Sequence, residues 1–161
     1  MKEPTELIFK HFWLVFIIGT LINVTIVSMA ARKNRKSRPE LAESHRKYIR
    51  VFAIYYNIPW IVMGIGVMIG GAPTSFHFFR PRDGNPYVLA FHGAFITVWL
   101  LSAIWIYLMN GAKVIAERSE LLQKPLTPLQ VKLRLTPFKV AAVVAMIMSW
   151  ILEVPVPEFP T

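Results

Sequence analysis

Imidazole is the side chain in this chain best suited to metal or proton chemistry, and 3 of the 4 histidines gather at one end of it. His11 lies about one helical turn inside the first apolar run, and His92 slightly deeper inside the third. His77 sits in the connection before that third run, and Glu153 closes the fourth on the same side; only His45 falls on the opposite side. Two histidines at matched depth on facing helices could ligate a b-type haem, which needs no cysteine. His11 and His92, joined by His77 or Glu153, could instead hold zinc or copper, metals that imidazole suits. The plainer alternative is histidine at a membrane interface, its polar tip meeting water. A second histidine on the same helix is missing, which weighs against haem.

Asn23 and Asn57 are the deepest strongly polar groups. Each lies about eight residues from the inner end of its apolar run, roughly 12 Å deep at 1.5 Å per residue. The spacing predicts an amide pair across two antiparallel helices, contributing about 0.6–2 kcal/mol; contact with a substrate or quinone is the alternative. Pro59 should kink the second run and free a carbonyl near Tyr55 and Tyr56. Gly64, Gly66, Gly70 and Gly71 make its outer half smooth, and Gly66-x-x-x-Gly70 predicts close packing against the first or third run. A cofactor ring on that glycine face is the other reading. Trp13 and Trp150 sit where anchoring aromatic rings belong. All 9 acidic residues lie in connections or at the ends of apolar runs. A proton-driven pump needs an ionisable group near mid-bilayer, so that class is disfavoured, and Asn23, Asn57 and Thr20 are too few to line a pore.

The elements that must carry these residues are long apolar runs. A bilayer core of roughly 30 Å needs about 20 apolar residues in a helix, and four stretches answer: about 7–31, 49–71, 87–112 and 138–154. Residues 1–161 therefore read as a single membrane domain, an all-α integral membrane protein with four transmembrane helices. The absence of cysteine excludes disulfides, thiolate metal sites and covalent c-type haem. The basic block beginning at Arg32 follows the first run instead of preceding it, so that run reads as an anchor and not a signal peptide.

Lysine and arginine set the orientation. Of 18 such residues, all but Lys2, Lys10, Arg80 and Arg82 fall in two connections, 32–50 and 113–139. Both connections are therefore expected in the cytoplasm and both termini outside, N-out and C-out. Pro39 suits the first turn of a helix running into the second span. The third span should continue past the membrane through Glu117 to Leu121. Thr127-Pro128-Leu129-Gln130 is a capping box with proline at the first helical position, and Thr136-Pro137 repeats that start for the fourth span. Between them Leu129, Val131, Leu133 and Leu135 alternate with polar residues, a strand-like period that conflicts with the cap; the segment reads as interfacial. Residues 154–160 cannot continue a helix and should be extended.

No extramembrane segment is long enough for a catalytic domain. The function expected is that of a non-catalytic membrane subunit or accessory protein, holding other integral membrane subunits by helix packing and anionic lipids at its cytoplasmic basic loops. Nucleic acid is not an expected partner. The alternative is an electron-transfer subunit with haem b, another metal or a quinone near the outer face; a small transporter or channel is a third. The expected location is the cytoplasmic (inner) membrane of a bacterium.

Overall fold

A computed structural model describes residues 4–32, 34, 38–122, 124–152 and 155. These form α1 (Pro4–Lys10), α2 (Trp13–Arg32), α3 (Pro39–Met68), α4 (Pro86–Tyr107), α5 (Gly111–Ser119) and α6 (Pro128–Ile151), with 3-10 turns at Ser75–Phe79, Pro81–Asp83 and Glu120–Leu122. The described residues contain no strand. Among the described residues three helices, α2, α3 and α4, are long and apolar enough to cross a membrane. The chain is thus an all-helical membrane protein.

The first apolar run is not one helix. It breaks at His11 and Phe12, because Ser75 from the outer connection inserts there. Trp13 N–H donates to Ser75 Oγ at 3.3 Å, and Ser75 Oγ donates to Lys10 O at 3.1 Å. Two backbone groups that would have paired within a continuous helix are satisfied instead by a distant hydroxyl.

Beyond the break, α2 meets α3 through Trp13 and Phe16, and Thr20, Val24, Val27 and Ala31, partly or fully buried, continue that stripe at a spacing of three and four residues. Phe16 stacks on Trp60 with ring centroids 3.8 Å apart. The rim of this contact is held open by Gly64, where a Cβ would collide with the Trp13 ring.

Helix α3 begins with Pro39 at its first turn and runs unbroken through Pro59. Proline there removes the N–H that would bond Tyr55 O. At its far end Gly66 and Gly70 lie against Phe78 and Tyr87, and a Cβ on either would overlap the Tyr87 side chain. Asn85 then joins the turn to the next helix. Its Oδ1 caps α4 by accepting from Tyr87 N–H at 2.9 Å, while its Nδ2 donates to Gly70 O at 3.1 Å. Met63, Val67, Phe78, Val88 and Phe91 form the core of this end.

The third run does not continue straight to Leu121. Helix α4 ends at Tyr107, where Met109 N–H reaches back five residues to Ile104 O at 3.0 Å and Gly111 N–H turns onto Met109 O at 2.8 Å. Gly111 packs so closely on Trp105 that a Cβ would overlap that residue's carbonyl. The carbonyl of Tyr107, released from helical pairing, accepts from Lys132 Nζ at 3.2 Å.

The segment read as strand-like and interfacial is helical, and Thr136-Pro137 lies inside α6 instead of opening a helix. The Thr127–Gln130 capping box starts α6 as its sequence requires, Gln130 N–H donating to Thr127 Oγ1 at 3.2 Å and Thr127 N–H to Gln130 Oε1 at 3.0 Å. The alternation of apolar residues is two helical stripes seen together. Val131 and Leu135, four apart, face Ile106, Ala112 and Ala116, whereas Leu129 and Leu133 point away and are exposed. Thr136 Oγ1 donates to Lys132 O at 2.8 Å beside Pro137, so the turn that proline weakens keeps a polar tie.

The two basic connections meet at one end of the bundle. Arg38 pairs with Glu120 at 3.1 Å, and Asn34 Nδ2 donates to Leu121 O at 2.8 Å. The region expected to be extended after α6 lies, apart from Pro155, outside the described residues.

Candidate functional site

At the opposite end, His92 on α4 is 2% exposed. Its Nε2 lies 2.9 Å from Phe78 O, and its Nδ1 lies 3.2 Å from Trp150 Nε1. The partners fix the tautomer. A carbonyl only accepts, so Nε2 carries the proton; an indole N–H only donates, so Nδ1 offers its lone pair. His92 is thereby a neutral latch joining α4, the outer connection and α6.

This arrangement does not fit the haem or metal assigned to it from sequence. Both nitrogens of His92 are committed, and ligation would require breaking the bond from Trp150 or that to Phe78 O. His11 stands at the break between α1 and α2, and His77 belongs to a third structure. His77 Nδ1 accepts from Thr74 N–H at 3.3 Å and lies 3.0 Å from Thr74 Oγ1, which itself accepts from Phe76 N–H at 3.3 Å. This is a capping box in which histidine takes the place usually held by glutamate or glutamine. Burial holds the His77 pKa below its ordinary value. Glu153 lies outside the described residues. Among the described residues no three histidine or acidic side chains come together to hold a metal.

The asparagine pair is likewise not formed. Asn57 is buried, and its Nδ2 donates to Ala53 O on its own helix at 2.6 Å, leaving Oδ1 without a partner among the described residues. Asn23 lies on the exposed face of α2, opposite the stripe that meets α3. Depth matched the two residues; helical phase separates them.

Two polar devices were not anticipated. Lys139, assigned by sequence to a loop, sits on α6 against α4: its Nζ bonds Ser102 Oγ, reaches Trp99 O at 3.5 Å and lies 5.7 Å from the Trp99 ring centroid. Trp99 Nε1 donates back to Lys139 O at 3.0 Å. The signal was present in the spacing of Lys132, Thr136 and Lys139, one face of a helix, once the segment is read as helical. The second device ties α5 to α3. Arg118 donates to Ser44 Oγ at 2.5 Å and stands 4.9 Å above the Tyr48 ring.

Between α3 and α6, floored by α4, an open-sided cleft of about 490 Å³ runs along the bundle. Tyr48, Phe52, Tyr55, Tyr56 and Trp105 line it with aromatic rings, and Arg134 stands at its edge. Tyr55 Oη is buried and has no partner among the described residues. The volume falls within the range of about 300–1,000 Å³ usual for small-molecule sites, and the mix of apolar walls with few polar groups is theirs too. No protein-family model, curated protein sequence or solved structure matches this chain.

Proposed function

We propose that this protein is a non-catalytic membrane subunit, crossing the bilayer four times and packing against a larger integral membrane partner. The observation that carries the reading is Asn23. It sits at the middle of α2, a helix in which only Ala31 is buried, and its side chain is exposed with no hydrogen bond to the described residues. An unpaired amide in hydrocarbon is costly. A partner helix that bonds it removes that cost, and such bonds between membrane helices contribute about 0.6–2 kcal/mol. Gly19, four residues earlier on the same exposed face, has open space where a side chain would be, which lets another backbone approach closely.

Support for α6 as the fourth span comes from its partner. Lys132 meets Tyr107, Lys139 meets Trp99 and Trp150 meets His92, so α6 follows α4 antiparallel along the length of a helix that is itself long enough to cross. The cationic end, where the two basic connections meet, is placed in the cytoplasm by the positive-inside rule, facing anionic headgroups. Both termini are then outside.

The test is purification from native membranes in mild detergent. The 18.5 kDa chain is expected to migrate on a native gel with a larger membrane protein. Asn23→Leu is expected to weaken that association by about 0.6–2 kcal/mol, while leaving the isolated chain as stable as before or more so. A monodisperse monomer that shows turnover by itself in liposomes would overturn the proposal.

A further inference from the structure

We infer that the aromatic cleft between α3 and α6 is a binding site for one anionic phospholipid, its acyl chain in the cleft and its phosphate on Arg134. Two observations lead there, and neither depends on the partner proposed above.

The first is the opening. The cleft is walled by residues of α3, α4 and α6, with Ile115 of α5 and Leu126 also in its lining, and α3 and α4 are long and apolar enough to span a bilayer. An open-sided apolar space of about 490 Å³ does not stay empty, since close packing is the condition of a stable interior, and in a bilayer the chain of a neighbouring lipid would be the nearest material of matching polarity.

The second is charge. Arg134 is exposed and forms no ion pair or hydrogen bond with the described residues. The two acidic residues described between α4 and α6, Glu117 on α5 and Glu120 in the following 3-10 turn, lie elsewhere: Glu120 is engaged by Arg38, and neither lines the cleft. A guanidinium without a carboxylate at the edge of an apolar groove matches a phosphate, which it binds through paired N–H donors. A zwitterionic lipid offers the same phosphate, but its ammonium would meet the other cations of this end, Lys132 and Arg118 among them.

Native mass spectrometry of the whole chain, released from phosphatidylcholine nanodiscs containing a minority of phosphatidylglycerol, tests this. Phosphatidylglycerol should be retained about fivefold above its share of the bilayer, the weight of one cation near an anionic lipid. Arg134→Gln should return that ratio to the bulk value, and Arg134→Lys should keep most of it. Leu101→Trp, which fills the cleft while keeping Arg134, should lose the adduct; Arg82→Gln, at the other end, should not change it. Equal retention of the two lipids by the unaltered chain, enrichment that survives Arg134→Gln, or retention of a quinone in place of a phospholipid would each overturn the inference.

Discussion

At the scale of single residues, the outer connection depends on a neutral histidine. His77 Nδ1 accepts from Thr74 N–H, and a protonated ring has no lone pair there to offer. Because burial lowers the folded-state pKa below its ordinary value, the neutral form is the one that folding favours. The stabilisation is therefore fully present above the unfolded value of about 6.5 and is lost as pH falls through the lower folded value. Thermal unfolding in detergent should show a melting temperature that declines from neutral pH towards pH about 5. His77→Gln restores the usual capping partner, an amide oxygen that does not titrate, and should flatten part of that decline. An unchanged slope in the variant would place the titration elsewhere. The sequence indicated that His11, His77 and His92 belong to one end but not what each one bonds. The partners of His92 are a backbone carbonyl and an indole eleven residues beyond Lys139, and neither carries a mark in the sequence that points to imidazole.

At the scale of elements, hydrophobic run length was legible and helix phase was not. The run that gave α2 shows where apolar residues lie but not that Ser75, from a distant connection, interrupts it. Capping chemistry was read correctly at Pro39 and Thr127, where a few adjacent residues decide the geometry. Thr136-Pro137 has the same local appearance, yet the packing of Val131 and Leu135 against α4 and α5 carries the helix through it. The distinction between strand and helix in this segment is open to direct test. A strand would place Val131 and Leu133 on one face, whereas α6 buries the first at 2% exposure and leaves the second at 63%. Val131→Ala should cost about 1–3 kcal/mol and Leu133→Ala no more than about 0.5 kcal/mol, measured by denaturant unfolding in detergent. Equal losses at the two positions would contradict the helical assignment.

At the scale of the whole molecule, the distribution of lysine and arginine speaks to orientation, while the apolar runs speak to embedding. Single cysteines at Glu43, Lys124 and Arg82, all exposed in the native fold, should divide in intact cells. An impermeant thiol reagent is expected to label the cysteine at position 82 and to miss those at 43 and 124; labelling at 43 would reverse the orientation.

The exposed stripe of α2 carries the larger claim, that another membrane protein covers it. A photoreactive amino acid placed at Ile26, three residues beyond Asn23 and 61% exposed, reports on that face within native membranes. Irradiation should join the chain to a second integral membrane polypeptide at position 26, and much less at Val24 on the stripe that faces α3. Adducts with lipid alone at position 26, from a chain still correctly inserted, would contradict the account.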